Sequence, residues 1–182
     1  MVNINSQIID ESQASLSLKN RGFNYGDALF ETFKVVSGQI LFLEDHYFRL
    51  MASMRILRME IPMEFTMEFL EAEIKKVLQA NNLDQSVARV KLVVNRKRGG
   101  FYTPETNEID YFILAEVLPN AIYTNNKNTY TVEIFKDYPI VPGLLSTLKT
   151  NNKVINVLGS IFAKENSFDN CLIINTNKMV VE

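Results

Sequence analysis

The order in which strand-forming and helix-forming segments follow one another constrains the fold of this chain most. Residues 31–36 (ETFKVV) and 39–43 (QILFL) are rich in strand formers and are separated by Ser37-Gly38, which predicts a β-hairpin. Amphipathic helices are predicted next, over residues 44–58 and in the segment that follows Pro62. Two further strands are predicted over residues 87–95 and 111–117. Strand-rich segments with a pair of helices between them indicate an α+β domain.

The last third of the chain has its own set of elements. Residues 119–128 (PNAIYTNNKN) are polar and turn-rich, so we expect an interdomain linker over residues 119–129 between domains at 1–118 and 130–182. Beyond the linker, the pattern predicts a strand over residues 130–135, an interruption of regular structure at PIVPG (139–143) and a helix over 153–164. Strands are predicted over residues 171–175 and 179–182. Because the chain then stops, we expect an incomplete C-terminal domain.

Composition excludes several classes of protein. The chain has 182 residues, of which 47% are hydrophobic, enough to form the core of one large or two small domains. Its 19 basic and 21 acidic residues give no basic surface for nucleic acid, and no apolar run approaches the roughly 20 residues of a membrane span. The single cysteine, Cys171, and single histidine, His46, exclude an intramolecular disulfide and Cys-rich or His-rich metal sites. Without a visible secretory signal, we expect a cytoplasmic protein.

Taken one at a time, the residues that could carry chemistry give weak signals. His46 lies beside Asp45 and near Arg49, and a structural histidine bonded to a neighbour is the more common case. The basic turn at residues 96–100 (RKRGG) could cradle an anion, although such turns are usually solvated hairpin tips. Lys149 could be a desolvated amine nucleophile, but a lone lysine is usually a surface charge.

Two segments taken together resemble a known family. Residues 21–50 contain Tyr25-Gly26-Asp27, Phe30-Glu31, Gly38 and then His46-Tyr47-Phe48-Arg49-Leu50. This order is similar to the N-terminal signature of the class IV aminotransferases, the fold-type-IV pyridoxal-phosphate enzymes. A second segment, Leu148-Lys149-Thr150-Asn151-Asn152 with LIINTNKMVVE at residues 172–182, resembles the family's lysine segment and the strand pair that ends in a cofactor-binding glutamate.

The resemblance implies a fold, a cofactor and roles for three residues. It implies the two-domain, D-amino-acid-aminotransferase-like fold and a pyridoxal 5'-phosphate site. Lys149 would be catalytic, forming an imine (Schiff base) with the cofactor aldehyde and shuttling the α-proton. Glu182 would hold the protonated pyridine nitrogen, and Arg49 would bind the phosphate. The alternative for Arg49 is a helix-surface ion pair with Asp45.

The resemblance also suggests residues for the substrate. Tyr25 and Phe30 align with aromatic residues that wall the substrate side in branched-chain aminotransferases, although the two could instead form a buried core pair. Lys91 falls where that subfamily has a cation near the substrate, although strand alternation could equally direct it to solvent. No metal site is implied.

Three departures keep the subfamily open. Branched-chain aminotransferases have a tyrosine where this chain has Val154, and D-amino-acid aminotransferases have one where it has Phe30. The Gly99-Gly100 turn resembles that of 4-amino-4-deoxychorismate lyases but lacks the arginine that should follow it. We expect a homodimeric aminotransferase acting on small amino and 2-keto acids, with a branched-chain-like amino donor. The alternatives are the lyase, which releases pyruvate and 4-aminobenzoate for folate synthesis, and a truncated, non-catalytic domain, because family members continue past the glutamate.

Overall fold

The computed structural model of the chain describes residues 1–120, 122, 123 and 129–182 and divides it into two compact units. The first unit comprises Met1–Tyr123 together with Lys149–Asn151, and the second comprises Thr124–Leu148 together with Asn152–Glu182. The linker expected over residues 119–129 includes residues 121 and 124–128, which lie outside the described residues. The proposed domain boundaries therefore stay a prediction.

The first unit is built on an antiparallel sheet of six strands that carries helices on one face. Its elements are β1 (Val2–Ile4), β2 (Gln7–Ile9), α1 (Arg21–Tyr25), β3 (Ala28–Val36), β4 (Gln39–Ile40), α2 (Leu43–Ile56), α3 (Met67–Ala80), β5 (Val87–Arg96) and β6 (Ile109–Val117). The strand order is β2-β1-β6-β5-β3-β4, and every pairing is antiparallel. The predicted hairpin is present, although β4 is only two residues long and pairs only with Val35 and Val36.

The hydrophobic core of the first unit lies between this sheet and the helices. Residues of β3 alternate, so that Leu29, Glu31, Phe33 and Val35 are all buried. Both long helices contribute buried apolar residues: Leu50, Met51 and Met54 from α2, and Leu70, Ile74, Val77 and Leu78 from α3. The helical spacing of these residues, visible in the sequence, explains why both predicted helices are confirmed.

The second unit pairs two parallel strands and packs one helix against them. It contains β7 (Val132–Ile140), α4 (Val154–Glu165) and β8 (Asn170–Asn175), with a short 3₁₀ turn at Leu144–Thr147. Gly159 and Ala163 are the buried residues of α4, and the Phe162 ring lies 5.4 Å from that of buried Phe135. The predicted helix is confirmed, but its apolar residues Val154, Val157 and Ile161 are exposed.

Two expectations for the second unit are wrong. Strand β7 does not end before Pro139 but continues to Ile140. Its pairing with β8 shifts register between Phe135 and Ile140, so Pro139, which has no N–H group, does not have to donate a hydrogen bond to β8. Residues 179–182 form a single bridge, Ile174 with Val180, rather than a strand. Val181 and Glu182 both donate their N–H groups to the Ile173 carbonyl. Because two residues here face a single residue of β8, the regular strand pairing is interrupted.

Candidate active site

The backbone around Lys149 is fastened to the open edge of β3. Because β4 pairs only with the end of β3, the edge near Ala28 is available to residues 149–151. The Phe30 N–H donates to the Lys149 carbonyl at 2.9 Å, and the Asn151 N–H donates to the Ala28 carbonyl at 3.0 Å. These two bonds fix the chain on both sides of the lysine, so the side chain starts from a defined position.

The ring of Phe30 contacts two lysine ammonium groups. The Lys149 Nζ is 4.6 Å from the ring centroid, and the Lys91 Nζ, from β5, is 5.2 Å from the same centroid. Both distances fall within the range of cation–π contact. Lys149 and Lys91 are each half-buried, so Lys91 is not simply directed to solvent. The arrangement places an amine beside a second cation and an apolar wall.

Arg49, on α2, is held by the strand residue that follows Phe30. Its Nε donates to Glu31 Oε1 at 2.7 Å and its Nη2 donates to Glu31 Oε2 at 2.5 Å, while the His46 Nδ1 lies 2.7 Å from Oε2. The hydrogen bond to Glu31 raises the pKa of Arg49 above its ordinary value. Arg49 therefore pairs with the buried carboxylate of Glu31, and the alternative, a helix-surface ion pair with Asp45, is not formed.

Tyr25 lies at the end of α1, close to the loop that joins β5 to β6. It is 42% exposed, and its ring is 5.6 Å from that of Tyr102, so it does not form a buried core pair with Phe30. Buried Arg21 supports this loop by donating to the carbonyls of Gly99, Phe101 and Tyr102. The loop is thus fixed by a guanidinium beneath it.

The basic turn at residues 96–100 is anchored to the protein rather than forming an evident anion site. Arg96 is buried and donates to Asp27, to the Asn107 side chain and to the Leu57 and Arg58 carbonyls. Lys97 forms an ion pair with Glu108 at 2.5 Å. Among the described residues, no group of three or more histidine, cysteine, aspartate or glutamate side chains could hold a metal ion.

Glu182 belongs to the second unit and is described within it. Its carbonyl accepts from the Ile173 N–H at 2.7 Å, which ties the residue to β8. Its Oε2 lies 3.8 Å from the Lys153 Nζ, and the side chain is half exposed. The backbone of Glu182 is thus fixed, while the oxygens of its carboxylate remain accessible.

The structure brings Lys149, Phe30, Lys91 and Arg49 to β3, and it adds two residues that sequence reasoning did not assign to the site. The sequence indicates Glu31 only as part of the Phe30-Glu31 motif, and it favours a structural role for His46. A signal for Glu31 existed, because strand alternation places its side chain between Leu29 and Phe33, on the core face. A carboxylate on a buried face requires a partner, and here the partner is Arg49.

Comparisons with known proteins relate this chain to one family. The family model for amino-transferase class IV matches residues 28–182. The D-alanine aminotransferase of Staphylococcus haemolyticus is 25% identical over 165 residues, which cover 89% of this chain and 54% of that protein. The putative branched-chain-amino-acid aminotransferase of Methanocaldococcus jannaschii is 28% identical over 181 residues, covering 98% of this chain and 61% of that protein.

Solved structures share the fold. The branched-chain amino acid aminotransferase of T.th. with pyridoxamine 5'-phosphate gives a TM-score of 0.84 at 21% identity, covering 100% of this chain and 61% of that one. A putative 4-amino-4-deoxychorismate lyase from Legionella pneumophila gives 0.76 at 22% identity, with 96% and 62% covered. The α+β fold expected from the sequence is confirmed, and the chain spans little more than half the length of these relatives. Among the described residues, no helix is both long and apolar enough to cross a membrane.

Proposed function

The chain belongs to the class IV aminotransferase family, and from that premise we propose that it is a pyridoxal-phosphate-dependent aminotransferase. It would transfer an amino group between a branched-chain-like amino acid and a 2-keto acid, with Lys149 as the residue that carries the cofactor. The observation that supports this proposal most is that consecutive residues of β3 hold two of the required groups. Phe30 contacts Lys149 at the edge of the strand, and Glu31 binds Arg49.

The residues present fit such a cofactor. An aldehyde calls for a positioned amine, a phosphate for a planar guanidinium, and a protonated pyridine nitrogen for a carboxylate. Lys149 offers the amine on a fastened backbone, Arg49 offers a half-exposed guanidinium, and Glu182 offers a carboxylate with accessible oxygens. When bound, pyridoxal phosphate supplies an electron-accepting ring that stabilises negative charge at the α-carbon of the substrate.

The chain's own residues would then perform distinct tasks. Lys149 would attach the cofactor and, as a deprotonated amine, move the α-proton at its Nζ. Arg49 would fix the phosphate, and Glu182 would hold the proton on the pyridine nitrogen. Lys91 would attract the substrate carboxylate, while Phe30 and Tyr25 would provide apolar surface for an aliphatic side chain. A cytoplasmic location and a homodimer remain predictions from the family resemblance.

A second candidate is release of pyruvate and 4-aminobenzoate from aminodeoxychorismate. Val154, the first residue of α4, has no hydroxyl where branched-chain enzymes carry a tyrosine. The loop after β5, whose sequence resembles the glycine-rich turn of the lyases, also has two glycines with positive φ, Gly99 at 130° and Gly100 at 69°. Two assays on the same preparation separate the candidates: keto-acid-dependent amino transfer and release of 4-aminobenzoate. Activity in the second assay alone would replace the aminotransferase proposal.

Reduction of the cofactor complex tests the role of Lys149 directly. Protein mixed with pyridoxal phosphate should turn yellow, borohydride should bleach it, and peptide mass analysis should locate the adduct on Lys149. Lys149→Ala should give no adduct and no turnover while its thermal unfolding stays close to that of the wild type. Lys164→Ala, on the exposed last turn of α4, is the matched control and should behave as wild type. A wild-type protein that takes up no cofactor would support the non-catalytic domain instead.

A further inference from the structure

The carboxylate of Glu31 collects three donors beneath α2. The residue is 1% exposed, and its two oxygens accept from Arg49 Nε, Arg49 Nη2 and His46 Nδ1. Because an ionised carboxylate can only accept hydrogen bonds, its contact with His46 requires a proton on Nδ1, a nitrogen that also lies 3.0 Å from the Arg49 Nη2. His46 is itself held by the ring of Phe33, whose centroid is 4.7 Å from that of the imidazole. His46 and Arg49 therefore share the Oε2 oxygen of Glu31, and the three side chains form one cluster.

Glu31 binds one edge of the Arg49 guanidinium and leaves the Nη1 nitrogen open. The occupied edge is formed by Nε and Nη2, and Nη2 also lies 3.0 Å from the His46 Nδ1. The described residues offer Nη1 no hydrogen-bond acceptor, and the Arg49 side chain is 46% exposed. Because a guanidinium is planar with its donors in a rigid fork, fixing one edge also fixes the direction of the other.

We propose that Glu31 is a positioning residue: it orients Arg49 so that the Nη1 nitrogen meets the phosphate of the cofactor. This inference rests on the proposed function, in which Arg49 is the phosphate ligand. An unrestrained arginine side chain would lose conformational entropy on binding a phosphate. The Arg49 guanidinium is already held by Glu31, so this cost of binding is smaller. His46 contributes by holding the carboxylate in place.

The same carboxylate has an opposing electrostatic effect, and the two effects predict opposite results. A negative charge beside Arg49 partly neutralises the guanidinium and repels a phosphate. If neutralisation outweighs orientation, removal of the Glu31 charge should tighten the binding of a phosphorylated ligand. If orientation outweighs neutralisation, the same change should weaken it.

The affinities of pyridoxal phosphate and pyridoxal, measured by absorbance titration, separate these outcomes. The two compounds share a ring and an aldehyde, so the dissociation constant of pyridoxal divided by that of pyridoxal phosphate isolates the contribution of the phosphate. We expect this ratio to fall in Arg49→Ala, and to fall roughly tenfold in Glu31→Gln, as when the partner that orients a ligand-binding group is removed. A ratio that is unchanged or larger in Glu31→Gln would overturn the proposal. A variant that is partly unfolded loses affinity for both compounds equally, so the ratio remains informative.

A double-mutant cycle tests whether Glu31 acts through Arg49. In the Arg49→Ala background, Glu31→Gln should leave the ratio unchanged, and a further tenfold loss would show that Glu31 acts independently. Glu73→Gln is the matched control, since Glu73 is also 1% exposed and paired with a cation, Lys76, and its ratio should equal that of the wild type. A wild type that binds neither compound would refute the proposed function. A wild type with a large ratio that Glu31→Gln does not alter would refute only this inference.

Discussion

Replacing Glu73 with alanine should remove the main polar support between α3 and the sheet. The buried Glu73 carboxylate accepts from Asn3 Nδ2 at 2.6 Å, from the Tyr111 hydroxyl at 3.2 Å and from Lys76 Nζ at 2.5 Å. Asn3 is fully buried, so leaving its amide without this acceptor costs about 1–3 kcal/mol. Tyr111 keeps a bond with Ser6 at 2.6 Å, and Lys76 is half exposed, so each adds roughly 0.5 kcal/mol. We therefore expect Glu73→Ala to lower the free energy of unfolding by about 2–4 kcal/mol.

Urea unfolding followed by circular dichroism measures this loss at neutral pH. Glu71→Ala is the matched control, since Glu71 lies on the same helix but forms an exposed ion pair with Lys75 at 2.6 Å. Removal of such a pair should cost about 0.5 kcal/mol or less. Equal losses in the two variants would refute the argument that burial makes the Glu73 contacts important.

The difference in the free energy of unfolding between wild type and Glu73→Ala should change with pH in one direction. Burial opposes ionisation of Glu73, but hydrogen bonds from Lys76 and Asn3 outweigh it and hold the pKa of Glu73 below its ordinary value. A lowered carboxyl pKa stabilises the folded state above the pKa of the unfolded chain, and this stabilisation is lost as pH falls through the folded pKa. The stability difference between wild type and Glu73→Ala should therefore shrink when pH falls below about 4.5. A difference that grows on acidification would contradict this assignment.

Two further predictions concern close contacts in the remaining elements. Gly159→Ala should destabilise the second unit by about 1–3 kcal/mol in thermal unfolding, despite the better helix propensity of alanine, because its Cβ would lie 2.8 Å from the Cys171 Sγ. Cys171→Ala in the same chain should recover most of the loss, and a rise in Tm for Gly159→Ala alone would contradict the packing argument. Arg21→Lys should speed trypsin cleavage in the loop at residues 97–107, because lysine cannot reproduce the fork that binds three loop carbonyls. Arg89→Lys, at an exposed ion pair, should leave the cleavage rate unchanged.

Local sequence patterns were sufficient for the elements that bury a regular face. The helical spacing of apolar residues predicted α2 and α3, and strand composition predicted β5 and β6 to within two residues at each end. The three-residue strands β1 and β2 were missed because each is too short for a period of two to be evident. The extension of β7 past Pro139 was missed because its register shift is a tertiary feature.

The candidate site shows why the remaining information is not local. Lys149 reaches β3 through backbone pairing between segments more than a hundred residues apart, which no periodic pattern encodes. By contrast, the opposite orientations of Phe30 and Glu31 follow from strand alternation alone. Lys149 and Arg49 can both attach to β3 because a strand offers an edge for backbone pairing as well as two faces for side chains. Lys149 is fastened at the edge and contacts Phe30, while Arg49 is held through Glu31 on the helix-covered face. Had β4 paired along the whole of β3, the edge would have been occupied, so the shortness of β4 is a condition for this placement of Lys149.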